Sequence, residues 1–312
     1  MRILVVIVTY NGVKWINECL NSVLNSLQVP DIYVIDNMSC DGTVAILNEE
    51  YLGKIILHES NENLGFGKGN NIGLKYALKH NYDYVFLLNQ DAFLQENTLE
   101  RLLEVAEKNK DYGILSPIHL DFMGDKLESY FSDFINLKHS HSFYADHIIN
   151  KKIKDIYPIQ FINAAAWLIP QKTLKEVGGF DPIFWHYGED DNYCQRVLFH
   201  GYKIGVVSKS YVRHDSKIRI NDNNYLFSTT YYTDFIKELQ KKYGNLNYNF
   251  KIDILIYEKK KVIKDILRSI FTFKFMKAVK YSKKIKLLIT SIPLIITSRN
   301  LNKNKGSNYI NE

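Results

Sequence analysis

Two periodicities alternate along the first part of the chain. Residues 3–9 (ILVVIVT) are an unbroken apolar run, and 31–36 (DIYVID), 54–58 (KIILH) and 83–88 (DYVFLL) repeat the pattern. Short runs apolar on both faces predict buried strands of a parallel sheet. Between the first two, Val13, Ile16, Leu20, Val23, Leu24 and Leu27 fall at helical spacing. Further helices are predicted over 69–79 and over 96–109, the latter with Leu99, Leu102, Leu103 and Val105 on its apolar face. FINAAAWLIP reads as a returning strand, a helix opens near Glu189, and 202–207 reads as another strand. Residues 119–158 lack long periodicity and predict a hairpin or loops over a site. The sum is an α/β fold: a Rossmann-like, mostly parallel sheet flanked by helices, with its ligand at the carboxyl ends of the strands. Polar residues gather at those ends, as Thr9-Tyr10-Asn11, Asp36-Asn37 and Asn89-Gln90-Asp91.

Charge changes the picture in the last fifth. The net charge is +6, yet residues 251–312 hold 15 Lys/Arg against 4 Asp/Glu, and the preceding 250 residues are net acidic. A nucleic-acid enzyme spreads cations over its binding face, so an acidic body argues against that class. The boundary near KKYGNLNYNF gives a body of residues 1–245 and an extension of 246–312. In the extension Ile263, Ile266, Leu267 and Ile270 recur at helical spacing among Lys and Arg, followed by Phe271, Phe273 and Phe275. A basic amphipathic helix of this kind suits an anionic membrane surface. The apolar run 287–297 contains Pro293 and falls short of the roughly 20 residues a span needs. Packing on the body or a homodimer contact is the alternative use of this segment. The closing RNLNKNKGSNYINE reads as disordered.

Three cysteines, an odd number, argue for a reducing compartment. MRILVVIVTY reads as a first strand rather than a leader. GFGKGNN at 65–71 has neither Rossmann nor Walker A spacing and reads as a glycine-rich turn capping the next helix, able to border a diphosphate. Asp91, presented after a strand, is a candidate ligand for Mg²⁺ or Mn²⁺, which take one or two carboxylates together with substrate phosphates. Glu189-Asp190-Asp191 suits a helix start. Beside the aromatic loop of Trp185, His186 and Tyr187 it also suits a polar, ring-shaped acceptor and the removal of its hydroxyl proton. His214 is a candidate metal or phosphate contact. His139, His141 and His147 lack zinc-site spacing and read as solvent-facing or acceptor-binding.

In order along the chain, VIVTYNG, VIDNMSCDGT, NLGFGKGNNIG, LLNQDA and HYGEDDNYCQR resemble the motifs of the family 2 glycosyltransferases, with a leaning to their bacterial rhamnosyltransferase-like branch. The resemblance covers about residues 3–243. It implies a GT-A fold with a nucleotide-sugar-binding half (1–118) and an acceptor-binding half (119–245). Its implied donor contacts are Thr9, Tyr10, Asn11, Asp36, Asn37, Gly67, Asn71, Asn89 and Gln90. Asp91 stands at the metal motif with His214 nearby, Asp190 stands as base beside Glu189, and Trp185, His186, Tyr187 and Asp191 stand toward the acceptor. Two departures are visible: the metal motif reads Asn89-Gln90-Asp91, keeping one carboxylate, and the second motif ends in Asn192. Asp191 therefore stays open as an alternative base.

The implied reaction is inverting transfer from a nucleoside-diphosphate sugar, dTDP-rhamnose or a UDP-hexose, to a hydroxyl of a lipid-linked cell-surface glycan. The implied place is the cytoplasmic face of the cell membrane. A sugar nucleotidyltransferase would need a Gly-rich, Arg/Lys-bearing loop after the first strand, where only Lys14 and one Gly stand. A non-catalytic carbohydrate-binding module has no use for Asp91 together with the Glu189-Asp190 pair.

Overall fold

A computed structural model describes residues 1–138, 140–216, 225–248 and 252–310, with side chains from 257 in the last segment. His139 lies outside the described residues. Contacts divide the chain into two units, Met1–Ile218 with Lys305–Glu312, and Arg219–Asn304. The boundary read near residue 245 thus falls inside the second unit.

The first unit is built on one nine-stranded sheet. Its elements are β1 (Ile3–Thr9), α1 (Ile16–Leu24), β2 (Asp31–Asp36), α2 (Thr43–Glu50), β3 (Ile56–Glu59), α3 (Gly65–Lys79), β4 (Tyr84–Asn89), β5 (Ala92–Leu94), α4 (Thr98–Lys108) and β6 (Tyr112–Leu120). They continue as α5 (Ser129–Phe134), α6 (His141–Ile148), β7 (Ile156–Ile159), β8 (Ala166–Pro170), α7 (Gln171–Val177), α8 (Glu189–Phe199) and β9 (Lys203–His214). The strand order is β3-β2-β1-β4-β8-β6-β9-β5, with β7 on β9. The quartet β3-β2-β1-β4 is parallel, as the apolar runs predicted. Beyond it β8 enters antiparallel to both β4 and β6, so the second half of the sheet is mixed. The switch in direction comes where the simple strand–helix alternation ends.

Strand β1 shows why its run has no polar alternation. Leu4 and Val6 point into one core with Leu74 of α3 and Trp167 of β8, and Ile3, Val5 and Ile7 point into another with Ile16, Leu20 and Leu99. Both faces are covered, so every position from Ile3 to Val8 is apolar. Val13 and Leu27, at the ends of the predicted first helix, lie outside α1 and are exposed.

The glycine-rich segment is not a turn before the helix but the first turn of α3 itself, four residues earlier than the predicted start. Gly65 takes φ +75°, a conformation open to glycine at little cost. A Cβ on Gly73 would lie 2.4 Å from Val6 Cγ1, so α3 can approach β1 this closely only without a side chain there.

The closing residues correct an expectation. Rather than being disordered, 305–310 pack on the first unit: Gly179 N donates to Asn308 O at 2.8 Å, Gly306 N to Glu176 O at 3.0 Å, and Ile310 is buried in the core with Trp167 and Phe180. Tyr309 Oη donates to the buried Asp181 carboxylate at 3.1 Å, and the Arg196 guanidinium lies over the Tyr309 ring. The polar composition suggested solvation, but one Tyr and one Ile suffice to anchor a short strap.

Among the described residues the second unit holds three helices, α9 (Thr229–Gly244), α10 (Ile252–Phe271) and α11 (Phe275–Asn302), with Leu239, Tyr243, Leu288 and Ile295 at its core. Arg299 Nη2 donates to Tyr248 O at 2.7 Å and Nη1 to Tyr243 O at 3.2 Å, tying the loop after α9 to α11. Among the described residues no helix is long and apolar enough to cross a membrane.

Candidate active site

The parallel strands end at Thr9, Asp36 and Asn89, and the loops leaving them interlock. Gln90 braces the first: its Oε1 accepts from Thr9 Oγ1 at 2.7 Å and Tyr10 N at 2.9 Å, while its Nε2 donates to Tyr10 O at 3.3 Å. Asn11, at φ +49°, donates its N–H to Ser39 Oγ, and its Oδ1 accepts from Cys40 N, both at 2.9 Å. The Asp36 Oδ2 accepts from Ser39 N at 2.9 Å, whereas its buried Oδ1 has no hydrogen-bond partner in the structure. A buried carboxylate oxygen left unpaired is costly, and this one keeps its full acceptor capacity.

Asn37 and Asn71 act as braces. Asn37 Oδ1 accepts from Leu64 N at 2.8 Å and its Nδ2 donates to Asn63 Oδ1 at 3.0 Å. Asn71 grips both sides of the Phe180 peptide, donating to its carbonyl at 2.8 Å and accepting from its N–H at 2.7 Å. This last pair ties the start of α3 to the segment that leads into the aromatic loop. Gly67 lets the surfaces close, since a Cβ there would sit 3.0 Å from Phe180 Cβ and 3.8 Å from Glu189 Cβ.

Helix α8 starts at Glu189, after Gly188 at φ +96°. The first-turn carboxylates of Glu189, Asp190 and Asp191 complement the helix dipole. The backbone N–H of Asp191 donates to Asp190 Oδ1 at 2.9 Å. Glu189 is buried with Oε2 unpaired, and burial together with the Asp190 and Asp191 charges pushes its carboxyl up to about 7. Arg196, buried two turns on, anchors the helix through Asn192 Oδ1 at 2.9 Å and Val177 O at 2.7 Å. Trp185, His186 and Tyr187 are exposed on the preceding loop, the His186 and Tyr187 rings 3.8 Å apart.

At the other side of the carboxyl edge, β5 pairs antiparallel with the end of β9, placing Ala92 opposite His214. That register brings His214 Nε2 to 3.4 Å from Asp91 Oδ1. His214 Nδ1 faces Glu128 Oε1 at 3.9 Å. Burial opposes charge on His214, but the carboxylates of Asp91, Glu128 and Asp215 outweigh it and raise its pKa. His119 of β6 completes a buried group in which one ligand atom from each of His119, Glu128 and His214 lies within 4.8 Å of the others. Burial, with His214 nearby, lowers the His119 pKa to about 3, so its ring is neutral at ordinary pH. The Nδ1 atoms of both histidines lack hydrogen-bond partners. Asp215 accepts from Lys14 Nζ and Trp15 Nε1, each at 2.7 Å, and its N–H donates to Asp91 O at 2.9 Å.

Sequence reasoning missed His119 and Glu128. The available signals were a histidine inside the otherwise buried strand GILSPIHL and a carboxylate at the start of α5, where Glu128 also caps Phe131 N at 2.7 Å. His147, by contrast, makes a 2.7 Å ring-nitrogen contact with Phe143 O, within its own helix.

The profile of glycosyl transferase family 2 matches residues 4–176, more than half of the chain. The low-salt glycan biosynthesis hexosyltransferase Agl10 of Haloferax volcanii is 22% identical over 202 residues, which cover 64% of this chain and 63% of that protein. The chain therefore spans less than two thirds of the length of that relative. Among solved structures, S. aureus TarS 1-349 in complex with UDP-GlcNAc aligns at TM-score 0.53 and 19% identity, covering 96% of this chain and 81% of that one. GalNAc-T7 with UDP, GalNAc and Mn²⁺ aligns at TM-score 0.57 and 14% identity, covering 77% and 47%. At such identities these structures speak to the fold. Taken with the profile, which runs from β1 into α7 over the parallel quartet and its interlocked loops, they identify the chain as a GT-A glycosyltransferase belonging to glycosyl transferase family 2.

Proposed function

We propose that the chain is an inverting hexosyltransferase that moves a sugar from a nucleoside-diphosphate donor to a hydroxyl of a growing, lipid-linked glycan. The observation that carries this reading is the pairing of Asp91 with His214 at the same sheet edge where α8 brings Glu189 against the start of α3. UDP in the complexes of TarS and GalNAc-T7 supports a UDP-hexose donor, and dTDP-rhamnose is the second candidate from the motif resemblance.

A divalent cation fits the donor set. Asp91 and His214 would hold it, with Glu128 and His119 behind. Carboxylates suit Mg²⁺ and Mn²⁺ alike, and an imidazole ligand favours Mn²⁺. When bound, the cation supplies charge stabilisation for the leaving diphosphate. Thr9, Tyr10, Asn11 and Asp36 face the nucleoside, the unpaired Asp36 Oδ1 accepting from it. Asn89 and Gln90 shape the turn that presents Asp91. Asp190 removes the proton of the acceptor hydroxyl as that oxygen attacks the anomeric carbon from the face opposite the diphosphate. Glu189 sets the field around Asp190, and Asp191, Trp185, His186 and Tyr187 hold the acceptor ring.

The basic second unit attaches the enzyme peripherally to the cytoplasmic face of the cell membrane, where a lipid-linked acceptor is presented. A homodimer contact is the competing use of that unit. Thermal shift with UDP- and dTDP-sugars, with and without Mn²⁺, tests the donor assignment. A Mn²⁺-dependent gain with one nucleotide class is expected, and no gain with any of them overturns it.

A further inference from the structure

The turn joining α10 to α11 presents a run of exposed apolar side chains. Phe271 is 79% exposed and Phe273 82%, followed by exposed Phe275, Met276 and Val279. Ile263, Leu267, Ile270 and Phe271 continue it along α10 at i, i+4, i+7 and i+8, one face of a helix. Val262 and Ser269 of the same helix are buried, so the exposed stripe is distinct from the packed one. The Phe273 and Phe275 rings meet edge to face with centroids 6.3 Å apart.

The backbone of this turn is unusual for a surface loop. Lys274 N donates to Ser269 O at 2.8 Å and Phe273 N to Ile270 O at 2.9 Å, which closes the end of α10. Phe273 takes φ +54° at that closure, a position where glycine is the ordinary choice. A large aromatic therefore sits, almost fully exposed, where both solvation and backbone preference disfavour it. Around it stand exposed Lys260, Lys261, Lys264, Arg268, Lys274 and Lys277, with Asp265 the sole acidic residue from 259 to 286. Apolar tip and cationic flanks together match one partner, the interface of an anionic bilayer, whose acyl boundary takes the rings and whose phosphates take the lysines.

We propose that the α10–α11 turn is a membrane-inserting wedge, with Phe271, Phe273, Phe275 and Met276 entering the bilayer interface. The proposal rests on the reading of the second unit as membrane-facing, and names the residues and the lipid chemistry through which it attaches. The turn lies within one helical unit and carries none of the residues assigned to donor or acceptor.

The test uses the full chain with vesicles of phosphatidylcholine alone or mixed with phosphatidylglycerol. Phe273→Gly relieves the positive φ, so its thermal stability should hold or rise, while its affinity for the anionic vesicles falls roughly tenfold. A residue with only a structural role would move both readouts together. The triple variant F271S/F273S/F275S should lose still more, with its nucleotide-sugar thermal shift unchanged. If both variants bind as the wild type while K264E/R268E/K274E does not, attachment is electrostatic and the wedge is refuted, leaving the membrane-facing reading intact. If the wild type ignores anionic vesicles, both fail. A concentration-dependent dimer that the phenylalanine variants dissolve, with no vesicle binding, assigns the tip to a second copy and also overturns the wedge.

Discussion

His214 Nε2 lies 3.4 Å from Asp91 Oδ1, although one residue ends the last strand of the sheet and the other follows its fourth. The pairing follows from strand register, with Ala92 opposite His214. On the proposed reading it makes the single carboxylate left at Asn89-Gln90-Asp91 half of a two-residue donor pair for the cation.

Removing either member should therefore weaken metal-dependent donor binding. Asp91→Ala and His214→Ala are each expected to reduce affinity for the donor in Mn²⁺ by roughly tenfold or more, with little effect in chelator. Titration calorimetry with and without Mn²⁺ measures this, and equal donor affinity in both conditions would remove the metal role.

Asp190→Asn should act on chemistry instead. A drop in kcat of roughly 10²–10⁴-fold with nearly unchanged donor affinity is expected for loss of a general base. Near-normal turnover would transfer the role to Asp191, which Asp191→Asn then tests.

Glu189 gives a pH signature in stability. Its carboxyl is pushed up to about 7 from an ordinary 4.5, so between those values the folded state holds a proton that the unfolded state has lost. Stability attributable to this group therefore falls as pH rises through that window and is lowest above it. Glu189→Gln should raise Tm by about 2–4 °C or more at pH 8 and by little at pH 4. An equal shift at both pH values would mean that the group is not buried as an acid.

Gly73→Ala should destabilise by about 1–3 kcal/mol, because the new methyl meets Val6 Cγ1 at 2.4 Å and Cγ2 at 2.8 Å. The Val6→Ala background should recover part of the loss. Additive losses in urea unfolding would show that the two positions do not share the contact.

Tyr309→Phe should cost about 1.5–3 kcal/mol, because it removes the bond to the Asp181 carboxylate. Truncation after residue 304 should cost more, since it also empties the site of buried Ile310. An unchanged urea midpoint for the truncated chain would restore the reading of this tail as disordered.

Much of the fold was legible because burial writes itself into local pattern. β1 and β4 are apolar throughout because both of their faces meet a core, and the polar clusters at Thr9, Asp36 and Asn89 stand where those runs stop. The acidic start of α8 was readable for the same local reason: three carboxylates followed by helical spacing. Donor braces were less so. Asn37 and Asn71 sit in motifs that suggest ligand contact, yet their amides are engaged with neighbouring loops and backbone, which sequence spacing does not reveal.

By itself the sequence determined the alternating α/β body, the chemistry presented at its strand ends and the basic character of the second unit, since each follows from side chains a few positions apart. Tertiary structure alone decided that His119 and Glu128 join His214, that Asp91 has an imidazole partner, and that residues 305–310 return to the first unit. These depend on how β5, β6 and β9 align and on which cavity a distant Tyr or Ile fills. Register and burial between remote segments are set by the packing of the whole chain, so no local pattern records them.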